Sequence, residues 1–207
     1  MKYWCCLHKI IFIALAFLLL QSCHSVEKLP PLASDAVILA FGDSITYGTG
    51  AATGESYPAV LERLAGRRVV NAGVPGEVTA EGLARLPGVL EQERPALMIL
   101  CLGGNDLLRH LDRQQAADNL RAMVRLAQER GVAVVLVAVP DINLTLSPPA
   151  FYGEIAREFK IPCEEKALSR ILGKHSLKSD HIHPNGAGYA QLAQALADLM
   201  QRSGALP

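Results

Sequence analysis

A hydroxyl, an imidazole, a carboxylate and an amide all stand just beyond apolar runs in this sequence. Ser44 lies in Phe41-Gly42-Asp43-Ser44-Ile45-Thr46, and Gly73 in Asn71-Ala72-Gly73-Val74-Pro75-Gly76. Asn105 lies in Gly103-Gly104-Asn105-Asp106, and Asp180 and His183 in Asp180-His181-Ile182-His183-Pro184-Asn185. A hydroxyl, an imidazole and a carboxylate are the parts of a nucleophile, its base and an orienter. The Gly73 N–H and the Asn105 amide supply donors to a developing oxyanion. Singly, each residue has an ordinary structural use: serine as a helix cap, glycine and asparagine in turns. Only their convergence on one rim would make chemistry.

The surrounding pattern supplies the scaffold that such convergence needs. Val37 to Phe41, Arg68 to Gly73, Ala96 to Leu102 and Val132 to Val139 are continuous apolar runs closed by Gly or Pro, and a weaker fifth surrounds Ile161 to Ala167. Runs of this kind suit strands buried on both faces. Between them fall helical stripes: Tyr57, Val60, Leu61 and Leu64; Leu83, Leu86 and Leu90, with Pro87 expected to kink or restart the helix; Leu120, Met123, Val124 and Ala127, stopped near Gly131; and Tyr189, Leu192, Leu196, Leu199 and Met200. Strand–helix alternation with short connections predicts an α/β fold, a parallel sheet with helices on both faces. Ligands then bind outside the carboxyl ends of the strands, where the polar residues stand. The one long irregular stretch, Asp141 to Gly153, reads as a functional loop or a surface insertion.

With these blocks in their order, the chain resembles the SGNH or GDSL hydrolases over Val37 to Met200. It is most similar to the bacterial branch of acyl-CoA thioesterase I, lysophospholipase L1 and arylesterase. Gly82-Leu83-Ala84-Arg85-Leu86-Pro87 followed by Leu97 to Asp106 shares in that likeness. Ile45 stands where leucine is common, a conservative departure. The loop after the fourth strand differs more, which bears on the acyl pocket. The resemblance implies a three-layer α/β/α domain with a five-stranded, flavodoxin-like parallel sheet. It implies Ser44 as nucleophile, His183 as base and Asp180 as orienter, with Ser44, Gly73 and Asn105 as the oxyanion donors and no cofactor.

Other readings of these residues are weaker. His181 fits a surface or pocket-rim position, since the family places its base before Pro-Asn. A metal at Asp180, His181 and His183 lacks the further protein ligand that zinc sites use, so no metal is expected. The spacing of Gly48, Gly50 and Gly54 is not that of a dinucleotide loop. Asn143-Leu144-Thr145 fits a glycosylation pattern.

Composition narrows the partners. The 207 residues carry 20 basic and 20 acidic groups, 50% hydrophobic and 5% aromatic residues. One domain with a short appendage fits that length. No basic run or aromatic platform suits a nucleic acid. The amino end explains much of the apolar excess. After Lys2 and Lys9, Ile10 to Leu20 runs apolar without a break into Leu20-Gln21-Ser22-Cys23. The run is too short to span a bilayer and fits a secretory signal. Its end resembles the lipobox of bacterial lipoproteins. That likeness implies cleavage before Cys23, acylation of its thiol, a linker over 23–35 and a hydrolase domain over 36–207. The mature chain would hold 18 basic against 20 acidic groups, net −2. It would be lipid-anchored in the bacterial cell envelope facing the periplasm, and monomeric. Of its cysteines, Cys101 and Cys163 lie on separate strands with a third expected between them, which puts them out of disulfide reach.

Together these readings predict a metal-free serine esterase acting on carboxylic esters and thioesters through an acyl-enzyme. If the protein is exported, lysophospholipids or small esters suit it better than CoA thioesters. An O-acetylesterase on envelope carbohydrate is the alternative enzyme. A binding module on a hydrolase scaffold is the non-enzymatic one.

Overall fold

The apolar runs become five strands of one sheet in the computed structural model, which describes residues 27–142 and 146–207. The strands are β1 (Ile38–Gly42), β2 (Val69–Gly73), β3 (Leu97–Cys101), β4 (Ala133–Val137) and β5 (Cys163–Glu164). All pairs are parallel, in the order β2-β1-β3-β4-β5. The order reverses between β1 and β3, and such a reversal opens a crevice at the carboxyl edge of a flavodoxin-like sheet.

Eight α-helices are described: α1 (Ser44–Tyr47), α2 (Tyr57–Ala65), α3 (Thr79–Glu93), α4 (Gly104–Leu108), α5 (Arg113–Glu129), α6 (Phe151–Phe159), α7 (Ala167–Leu172) and α8 (Gly186–Ser203). Helix α8 packs on α2 and α7, while α5 packs between α3 and α6, giving two helical layers around the sheet.

Burial follows position in the sheet. Every residue of β1 and β3 is buried, as continuous apolar runs require. The expectation of burial on both faces fails at the two edges. β2 is half-buried with Asn71 exposed, and β5 is only two half-buried residues. An edge strand has one neighbour and less helix cover, so its sequence need not be wholly apolar.

The helical stripes differ from expectation at two points. Leu64 is exposed, and Ala65 takes the core position. Helix α3 does not restart at Pro87 but runs through it. A proline inside a helix costs about 3 kcal/mol through its missing N–H and its ring. Burial of Leu86 and Leu90 on either side offsets that cost. Helix α5 begins where the Asp112 carboxylate accepts the Gln114 and Gln115 amides, and Gly131 follows its end in the left-handed region.

Cys101 and Cys163 stand on β3 and β5 with β4 between them, and both are free thiols. Burial pushes both thiols above their ordinary value. Part of the stretch read as a linker is docked. Leu29 N and Leu32 N donate to Ser203 O and Ala205 O, each at 2.9 Å. No apolar periodicity announces this pairing, because it is made by backbone groups. The signal segment, Cys23 and Asn143-Leu144-Thr145 lie outside the described residues.

Candidate active site

Local sequence turns the chain sharply where each polar residue is presented. After β1, the Asp43 carboxylate caps α1 by accepting the Ile45 N–H at 3.0 Å. Gly48, at φ +99°, closes the helix after one turn. Ser44 therefore heads a short helix at the carboxyl end of a central strand. After β3, Gly103 at φ +109° starts α4, and a Cβ there would strike the Tyr152 hydroxyl at 2.5 Å. That turn delivers Asn105 beside Ser44.

The histidine comes from the loop before α8. Asp180 Oδ1 accepts the Ile182 and His183 amides, both at 2.8 Å, and Oδ2 lies 2.8 Å from His183 Nδ1. On the other side of the ring, His183 Nε2 lies 2.9 Å from Ser44 Oγ. Partial burial works against the Asp180 charge. The hydrogen bonds from the His183 ring and the two amides outweigh it and hold the carboxyl below its ordinary value. An Nδ1–H donated to that carboxylate leaves Nε2 free to accept from the serine hydroxyl. His181 is exposed.

The donors expected for an oxyanion divide. Asn105 Nδ2 donates to Glu77 O at 3.0 Å and reaches Asp43 Oδ2 at 3.4 Å. The second bond is long, so that hydrogen is easily given up to a stronger acceptor. Gly73 differs from its expected role. Its N–H is spent on the Asn71 side chain at 3.0 Å, at the outer edge of the sheet. It packs instead against α1, since a Cβ there would lie 2.1 Å from Tyr47 N. Gly76, which the sequence reading did not single out, precedes Glu77 in the turn that holds Asn105. It sits at φ +81°, and its N–H has no acceptor among the described residues. The signal was present in Pro75-Gly76, a dipeptide typical of such turns.

Buried carboxylates brace this region, and the sequence reading missed them. Glu77 holds Arg85 through two bonds of 2.8 and 2.7 Å, and Arg85 also reaches Ala72 O and stacks on Phe41. Asp106 accepts from the Thr79 amide and hydroxyl, at 2.9 and 2.6 Å. Asp43 faces both acids. Burial, aided by the Glu77 and Asp106 charges, pushes its carboxyl up to about 7 against the backbone bond from Ile45.

Ser44, Asn105 and His183 line an open cleft whose empty space, solvent outside it included, is about 350 Å³. Leu108, Val139, Pro140, Ile142, Leu172 and Ile182 give it an apolar wall. A proton acceptor on a hydroxyl, beside amide donors and an apolar wall, can attack and hold an acyl carbonyl. Among the described residues, no group of three or more His, Cys, Asp and Glu side chains is placed to hold a metal.

Residues 40–191 match the family model described as GDSL-like Lipase/Acylhydrolase. The chain belongs to this family of hydrolases. Among its relatives is the esterase TesA of Pseudomonas aeruginosa, 35% identical over 189 residues, covering 86% of this chain and 94% of that protein. The thioesterase 1/protease 1/lysophospholipase L1 of Escherichia coli is 29% identical over 174 residues, covering 79% and 83%. The crystal structure of AlinE4, an SGNH-hydrolase family esterase, superposes with a TM-score of 0.64 at 32% identity, covering 83% of this chain and 98% of that one.

Proposed function

We propose that the protein is a serine esterase that cleaves acyl esters and thioesters through a covalent acyl-enzyme. The observation that carries this reading is the chain of contacts Asp180–His183–Ser44, 2.8 and 2.9 Å, at the mouth of an apolar cleft. Ser44 Oγ attacks the acyl carbonyl while His183 Nε2 takes its proton. The new C–O bond leaves a negative charge on the former carbonyl oxygen. The Ser44 N–H at the head of α1, the Asn105 amide and the Gly76 N–H stabilise that charge, with Gly76 standing in for Gly73. Collapse breaks the bond to the alcohol or thiol, which leaves with the proton from His183. Water then repeats the sequence on the acyl-serine and releases the acid.

The apolar wall favours acyl chains, in keeping with relatives named esterase and lysophospholipase. A panel of p-nitrophenyl esters from acetate to palmitate tests this. The reading predicts a kcat/KM maximum at a medium chain, whereas a maximum at acetate would favour an O-acetylesterase.

The lipobox-like Leu20-Gln21-Ser22-Cys23 further supports an envelope lipoprotein, anchored through Cys23 as a monomer facing the periplasm. The intact mass of the mature protein tests that assignment.

A further inference from the structure

The chain enters the domain at the pole opposite the catalytic cleft. Lys28 Nζ donates to Arg202 O at 3.1 Å, and Leu29 N and Leu32 N donate to Ser203 O and Ala205 O. Arg67, just before β2, donates to Ala33 O and Leu32 O at 3.2 and 3.3 Å. Residues 28–33 therefore lie at the amino edge of the sheet, against the last turn of α8. The first turn of α8 lies at the site. Its cap, Asn185, follows His183 closely, and Tyr189 Oη donates to Thr49 O just after α1. The helix has 18 residues, which at about 1.5 Å each separate the two poles by about 27 Å.

We infer that the anchored enzyme turns its catalytic mouth away from the leaflet that holds it and takes its acyl esters in trans, from solution or from a facing surface. This rests on the lipidation of Cys23 proposed above. From Cys23 to Leu29 the chain reaches at most about 20 Å when fully extended. For the mouth to meet the host leaflet the domain must invert, which lifts Leu29 by about the length of α8. The tether is too short for that. A domain lying on its side would open its cleft along the membrane rather than into it.

The far pole suits an amphiphile arriving from outside. Four large apolar side chains are exposed among the described residues, and three of them, Tyr47, Val74 and Leu111, lie at the catalytic end. They form one arc. The Tyr47 backbone packs on Gly73 beside Val74, and Arg109 Nη2 donates to Gly76 O at 2.7 Å, tying the turn that carries Leu111 to the same rim.

The test uses the full-length lipoprotein, purified with its lipid, its mass recorded, and reconstituted into phosphatidylcholine vesicles. A fluorogenic medium-chain ester is tethered by a short spacer to a non-exchanging diacyl lipid. It is placed in the same vesicles or in separate ones, and a third arm offers a soluble ester. An enzyme able to reach its own leaflet would see the substrate at millimolar effective concentration. The native protein is expected to show less than about a twofold gain on same-vesicle substrate over the soluble Cys23→Ser variant. Inserting about 20 Gly/Ser residues after Ser25, which with the native tether gives a flexible reach of roughly 28 Å, should raise that gain to about tenfold or more. The separate-vesicle and soluble arms distinguish a facing surface from a dissolved substrate. A tenfold same-vesicle gain for the native lipoprotein would overturn the orientation. An unmodified Cys23 would overturn the anchor and the orientation with it. Failure on the soluble ester would instead strike at the esterase reading.

Discussion

Ser44 Oγ and His183 Nε2 lie 2.9 Å apart across 139 positions of sequence. Two independent local structures meet there: a one-turn helix capped by Asp43, and a loop folded around the Asp180 carboxylate. Each is stabilised without the other, so the contact is preorganised by the fold rather than made by the two side chains. Preorganisation of this kind keeps reorganisation out of the reaction barrier.

The three side chains are expected to contribute unequally. Ser44→Ala should lower kcat on a p-nitrophenyl ester by about 10⁶-fold, since no attacking group remains. Asp180→Asn should cost about 10²–10⁴-fold, because the imidazole stays near the hydroxyl but loses the partner that fixes its tautomer. Side-by-side kcat measurements check this. An Asp180→Asn loss equal to that of Ser44→Ala would contradict the assigned roles.

Asn105 and Gly73 should separate into a kinetic and a structural defect. Asn105→Ala is expected to lower kcat by about 10²–10³-fold with little change in KM. Gly73→Ala places a Cβ 2.1 Å from the Tyr47 backbone nitrogen, which no rotamer change relieves. It should cost about 1–3 kcal/mol, or roughly 2–10 °C in Tm. Thermal melts beside steady-state kinetics distinguish the two.

Asp43 should make stability fall as pH rises from about 3.8 to about 7. The folded protein keeps the Asp43 proton up to about 7, while the ordinary carboxyl releases it near 3.8. Between those values the folded state binds more protons than the unfolded one. Stability therefore declines across that window, and the whole cost is present above it. Asp43→Asn retains a capping side chain without the charge. Its advantage over wild type in urea unfolding should grow from pH 4 to pH 7.5, by on the order of a few kcal/mol. An advantage independent of pH would count against this account.

Cys101 and Cys163 should both titrate as thiols once the protein is denatured without reductant. The intervening strand β4 keeps them from bonding within the folded chain. A mass increase of two hydrogens on reduction would contradict this.

What could be read in the sequence follows from how locally each feature is encoded. Ser44, Asn105 and the Asp180–His183 pair each follow an apolar run or sit within one short loop, so their meeting place follows from strand polarity. The sheet was legible for the same reason at β1, β3 and β4. Gly73 was not, because the direction of its N–H depends on its place at a sheet edge and on the Asn71 side chain. Pro87 masked the continuity of α3, which tertiary burial of Leu86 and Leu90 decides. The buried acids Asp43, Glu77 and Asp106 went unnoticed because a carboxylate looks solvent-bound until its partners Ile45, Arg85 and Thr79 are brought to it.

The claim on which the rest depends is that Ser44 carries the acyl group. Incubation with an alkyl phosphonate that reacts with activated serine, followed by intact and peptide mass measurement, reads this directly. The account predicts one adduct per chain, located on Ser44 and absent from Ser44→Ala. A stoichiometric adduct that persists in Ser44→Ala, or that maps to another residue, would contradict it.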